Sequence, residues 1–271
     1  MRNASLLLAA VSAACMAFQI STANATVTGG ASSSYGESVS LAITPLLLGV
    51  NGSITSGPTP TAAGTAPAAY SDANSLLSLT ISNLISTGLL NATASSNVDG
   101  SAGAKFASAD ASVDQLGLSI LGALGIGAGV IESSADVTGD YGALSANGAT
   151  VITGLSLNSI PILNLSTTPD FVLLNALGIT VTLNEQVESG DGIGSAGMAV
   201  NAIHITLNNV PYLWNLQPSL LNGDIIIAHS QAELYAGPNG TGGNPVPEPA
   251  TLALLGTGLA GMFGLRKRRA A

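Results

Sequence analysis

Between Ala107 and Asp114 the chain alternates strictly, with Ala107, Ala109, Ala111 and Val113 on one side and Ser108, Asp110, Ser112 and Asp114 on the other. A period of two puts successive side chains on opposite faces, which suits a half-buried strand and cannot give a one-sided helix. The acids fall on the wet face. Similar rows occur at Val39/Leu41/Ile43, at Leu77/Leu79/Ile81 against Ser78/Thr80/Ser82, and at Ile179/Val181/Leu183 against Thr180/Thr182/Asn184. Further strands are predicted through 132–138, 151–157, 200–207 and 225–235, and no interior stretch sustains a helical period.

Turn chemistry points the same way. Asn51-Gly52, Asn147-Gly148 and Asn222-Gly223 lie beside candidate strands and accept positive φ, so hairpins are expected there. Many strands at short spacing predict an all-β body, an antiparallel β-sandwich or a jelly-roll-like fold. Frequent inward alanines would let the sheets approach closely. Two stretches read as irregular: 56–69, with Pro58, Pro60 and Pro67, as a solvated loop, and 188–197, rich in Gly and Ser, as a long connection.

Charge narrows the partners. All fifteen acidic residues lie between Glu37 and Glu248, where Lys105 is the only base, leaving that segment at −14. Such a surface repels phosphate backbones and excludes nucleic acid as a partner. It could attract cations such as calcium, although an exported chain so poor in charge also needs some net charge to stay soluble.

The two ends are of a different kind. Met1 and Arg2 precede a mostly apolar stretch, 4–20, and Ala23-Asn24-Ala25 fits the small-x-small rule of signal peptidase, giving a mature start at Thr26. Residues 1–25 therefore read as a secretory signal peptide; the alternative is lipidation at Cys15, after Ser12-Ala13-Ala14. Cys15 is the only cysteine and leaves with that peptide, so the mature chain would have no disulfide, thiol nucleophile or thiolate metal site. The body then spans 26–235. Residues 236–249, with four prolines and four glycines, read as a stalk, and 250–271 as a short apolar transmembrane helix with a basic tail. Arg266, Lys267, Arg268 and Arg269 would stay on the cytoplasmic side, so everything before Pro247 lies outside the cytoplasm.

Pro247-Glu248-Pro249, the apolar run and the Arg/Lys cluster together resemble the PEP-CTERM sorting signal of Gram-negative bacteria, which a membrane-embedded exosortase reads. The resemblance implies cleavage near Pro247-Glu248-Pro249, a helix that is only a transient inner-membrane anchor, and delivery to the outer surface or an exopolysaccharide matrix. An anchor that is never processed is the alternative. The body resembles the choice-of-anchor P family in Ser34-Tyr35-Gly36, the strand at 107–114, the run from Thr180 to Gln186, and Val200-Asn201-Ala202-Ile203-His204. That family implies no established activity.

Candidate chemistry is sparse. Gly122, Gly125, Gly127 and Gly129 match neither phosphate-binding glycine motif, and a kinked strand explains them. No nucleophile elbow surrounds any serine, and the scattered acids single out no glycosidase pair. His204 and His229 lie on polar strand faces, where they either help cover the sheet or, if their strands pair, meet at a metal; no metal site or cofactor is assigned. Tyr212 and Trp214 share a strand face and are the candidate ligand residues for a sugar, the alternative being a core anchor beside Pro211. These readings predict no catalytic residue and a structural surface or matrix protein, with a carbohydrate- or cation-binding module as the alternative and a secreted hydrolase behind it.

Overall fold

The computed structural model describes residues 25–236 except 48, 82–83, 121–123, 164, 167 and 215. Ala25 is exposed and Thr26 half-buried just before the first strand; Ala23, the rest of the signal-peptide segment, the stalk beyond Ala236, Pro247, Glu248, Pro249 and the basic cluster lie outside the described residues. Among the described residues there is no helix, and so none long and apolar enough to cross a membrane.

Strands β1 (Val27–Pro45) and β2 (Gly52–Thr65) open the chain as a hairpin. A second sheet follows: β3 (Tyr70–Leu76), β4 (Leu79–Ile81), β5 (Ile85–Thr87), β6 (Leu90–Ser96), β7 (Lys105–Ile120), β8 (Leu124–Asp140), β9 (Ala143–Thr153), β10 (Ser156–Leu157) and β11 (Ile160–Pro161). Then β12 (Phe171–Ala176), β13 (Ile179–Gly190), β14 (Ser195–Trp214) and β15 (Gln217–Ala236) return to the first sheet, whose order is β12-β13-β14-β15-β1-β2. Every pairing is antiparallel.

The alternation at Ala107–Asp114 does what its period requires: the four apolar residues are buried, and their polar neighbours are exposed or half-buried. Leu/Ile residues of both sheets, among them Ile43, Leu90, Ile120, Ile126, Ile203 and Ile227, join in one apolar cluster. A second cluster, built from Val27, Ala107, Ala135, Val137, Val200, Ala232 and Leu234, is smaller in its side chains. Where the side chains are small, hydroxyls bond between the sheets: Ser133 Oγ lies 2.7 Å from Ser230 Oγ, and Ser34 Oγ donates to Thr93 O at 2.8 Å. Ala109 is fully buried between Ala94 and Ala135 on the flanking strands. Ala109→Leu is expected to destabilise by about 1–3 kcal/mol through overpacking, read as a lower urea midpoint at unchanged slope.

Each sheet is creased across its width. In the second sheet, register places Gly88, Gln115, Gly129 and Gly154 in one transverse row, with Gln115 at φ 51 and Gly154 at φ 62. Before the row β7 buries odd positions; after it, Leu116, Leu118 and Ile120 are buried instead. A residue in the left-handed region adds local twist and resets which face the following side chains take. The first sheet has the equivalent row at Gly36, Ala228, Ala202 and Asn184, with Ala228 at φ 53 and Asn184 at φ 51.

The strands as folded correct several sequence expectations, one of them through a crease. Asn184 is buried instead of lying with Thr180 and Thr182, because the crease turns it inward beside Leu183. Leu77 is 84% exposed in the gap between β3 and β4, while Leu79 and Ile81 pack against the core. Asn147-Gly148 and Asn222-Gly223 sit inside β9 and β15 and turn no hairpin; a Cβ on Gly148 would meet Val200 Cγ2 at 2.7 Å, so this glycine serves close sheet approach. Asn51-Gly52 does border the β1–β2 turn. Residues 56–65 are strand, not loop: β2 is an edge strand, where proline is tolerated, and its register against β1 shifts between Glu37 and Val39, beside Pro58 and Pro60. The connection expected over 188–197 shrinks to 191–194, since Asp191 Oδ1 accepts from the N–H groups of Ile193, Gly194 and Ser195 and closes it tightly.

Candidate functional site

On the outer face of the first sheet, the crease draws together polar side chains that sequence spacing keeps apart. The pairings Tyr35↔His229, Asn201↔His229 and Glu185↔Asn201 align them across four strands. The Tyr35 and His229 rings stack at 4.5 Å and 19°. His229 Nδ1 lies 2.6 Å from Asn201 Oδ1, and Asn201 Nδ2 donates to Glu185 Oε2 at 2.6 Å. The same Glu185 oxygen is 2.8 Å from His204 Nδ1, while His204 Nε2 faces Asp224 Oδ1 at 3.1 Å. With the Asn201 amide donating to Glu185, its oxygen accepts from His229 Nδ1–H, which places a proton on that nitrogen.

Burial governs the electrostatics here. It pushes the His229 pKa down to about 4, against the pull of Glu185, and it pushes the Tyr35 hydroxyl up to about 12, with Glu37 adding to the rise. Glu37 is fully buried; Ser56 Oγ donates to its Oε1 at 2.5 Å, while its Oε2 has no partner. Burial raises the Glu37 pKa, and the Ser56 bond opposes this. The Lys105 ammonium, the one base of the body, bonds Asp99 at 2.6 Å and Ser101 at 2.9 Å, so it is already engaged.

The two histidines thus sit on paired strands, as a shared metal would require, but Asn201 and Glu185 stand between them. Among the described residues no group of three or more His, Cys, Asp or Glu is placed to hold a metal ion. Tyr212 and Trp214 do come together, with ring centroids 6.2 Å apart and tilted by 40°, and both pack half-buried against the main apolar cluster. Trp214 lies over Gly52, where a Cβ would come within 3.1 Å of the indole. A cleft of about 910 Å³ on the second sheet is lined by Thr80, Ser86, Gly117, Ser119, Ser156 and Asn158 among others; it offers hydroxyls but no aromatic stacking face. Sequence reading found the histidines and missed Tyr35, Glu185, Asn201 and Asp224 as their neighbours. The available signal was the adjacent apolar pairs Ala202-Ile203 and Ile227-Ala228, which mark where the alternation slips.

Residues 245–269 match the PEP-CTERM protein-sorting motif, the signal carried by exported proteins that an exosortase sorts at the membrane. No curated protein and no solved structure matches the chain, and no homologue supports the likeness of the body to the choice-of-anchor P family.

Proposed function

We propose that this chain is a non-enzymatic structural protein of the bacterial surface or extracellular matrix, sorted there by an exosortase after signal peptidase has opened it at Thr26. The observation that carries this reading is the sorting motif at 245–269. A body at 26–235 would travel on a stalk at 236–249, with the segment 250–271 removed during sorting. The body is best read as a β-sandwich and not a jelly roll: long runs of successive strands stay within one sheet, whereas a jelly roll repeatedly crosses between two. The absence of cysteine from the mature chain and the closed hydrogen-bond network around His204 and His229 fit a structural role better than turnover. An exopolysaccharide matrix is the partner such a destination offers.

The test is intact mass spectrometry of the protein recovered from the surface or matrix fraction. The expected product begins at Thr26 and ends near Pro247-Glu248-Pro249. Cells that hold only chains retaining residues 250–271 in the inner membrane would refute the sorting reading, and turnover abolished by a single carboxylate substitution would refute the structural one.

A further inference from the structure

One end of the first sheet carries no charge and ends in bare apolar side chains. The β1–β2 turn presents Leu46, Leu47 and Val50, exposed by 58%, 70% and 86%, and the β14–β15 turn presents Leu213 and Leu216, exposed by 67% and 94%. The two turns are neighbours: Leu46 N–H donates to Pro218 O at 2.9 Å, and Trp214 lies over Gly52. No Asp, Glu, Lys or Arg occurs between Glu37 and Asp72 or between Asp191 and Asp224. Along β15 the first charge behind the tip is therefore Asp224, seven residues from Gln217, or about 23 Å at roughly 3.3 Å per residue. Both ends of the described strands, Val27 and Ala236, pair at the opposite pole.

We propose that this tip docks into the surface of a zwitterionic lipid bilayer. Its exposed leucines and Val50 crown two hydrogen-bonded turns at one end of the strands, an apolar tip that fluid acyl chains can wrap. The charge-free depth exceeds the roughly 5–10 Å that an interfacial element buries, so no ionised group need lose its water. Tyr212 and Trp214 lie half-buried beside exposed Leu213 and Leu216, where amphipathic rings favour the headgroup level. The surrounding negative charge stays on the far half, which makes an electrostatic contact with anionic lipid the wrong expectation and a salt-insensitive apolar one the right one.

Trp214 is the only tryptophan in the chain, so its fluorescence reports on the tip alone. In the full chain mixed with phosphatidylcholine vesicles containing brominated acyl chains, Trp214 emission should be quenched, equally at low and high salt. A Leu213→Glu/Leu216→Glu variant should bind at least about tenfold more weakly by this readout. Because both positions are exposed, its melting temperature and its emission without vesicles should match the parent. Unquenched Trp214 in the parent, quenching unchanged in the variant, or a dimer that the variant dissolves in the absence of lipid would each overturn the proposal.

Discussion

Gly223→Val is expected to lower stability by at least about 3 kcal/mol, because strain at a position reserved for glycine and a backbone collision act together. Gly223 has φ 133, and a Cβ there would lie 2.0 Å from Ser40 O and 3.0 Å from Leu41 Cα. Both obstacles are main chain in the middle of the β1–β15 ladder, so neither can swing aside without parting two central strands. Gly57→Val is the control: it is exposed on the edge strand β2, and an added Cβ meets nothing within 4 Å. Urea unfolding of the pair should show a large loss for the first and a change within about 0.5 kcal/mol for the second. Equal losses would mean that the close crossing at Gly223 is not what requires a glycine.

The second large effect is acid sensitivity centred on His229. An unfolded histidine titrates near 6.5, while the buried ring holds off its proton until about pH 4. Below 6.5 the unfolded chain therefore binds a proton that the folded chain refuses, so stability is intact above that pH and falls as pH drops toward 4. The loss is on the order of 2–3 kcal/mol. His229→Phe keeps a flat ring under Tyr35 and removes the titration; it should be less stable at pH 7, where Asn201 Oδ1 loses its donor, and should close the gap to the parent as pH falls to 4. Glu37 works in the opposite sense. Its raised pKa makes the folded chain hold a proton that the unfolded chain releases, so its contribution is present at low pH and lost as pH rises past the ordinary carboxylate range. Glu37→Gln should consequently stabilise at neutral pH and less so in acid. Chemical denaturation of the three proteins from pH 4 to 8 decides both signs, and parallel curves would remove His229 and Glu37 as the groups responsible.

How far the sequence led depends on where its alternation is unbroken. Val39, Leu41 and Ile43, the alanines from Ala107 to Ala111, and Ile179 to Leu183 could be placed inside from spacing alone, and with them the all-β class. Spacing failed at the creases, because a left-handed Asn184 or Ala228 resets the inner face and its only trace in the residues is an adjacent apolar pair such as Ala202-Ile203. It failed for glycine in a related way. Asn222-Gly223 has the composition of a turn, yet its glycine answers to a neighbouring strand that is distant in sequence. The polar cluster was hidden for the same reason: Tyr35, Glu185 and His229 meet only once three separate strands are in register. Tyr212 and Trp214 were recognisable as a pair, but the surface they flank owes its character to residues around Leu46 and Val50 that no local pattern ties to them.

The pairing of β1 with β15 also sets an order of events during export. The second sheet pairs strands that are neighbours in the chain or a few strands apart, such as β7 with β8 and β3 with β6, and can form soon after each strand has crossed the membrane. Sheet one cannot: β1 emerges first and must wait, with one ladder of amide groups open, for a partner nearly two hundred residues behind it. Until β15 clears the translocation pore, the leading hairpin is an unguarded edge, vulnerable to proteases and to mispairing with other nascent chains. Closure of the body and arrival of the sorting segment at the membrane are then nearly simultaneous, so a chain stalled short of its last strand would leave the membrane both unfinished and unsorted.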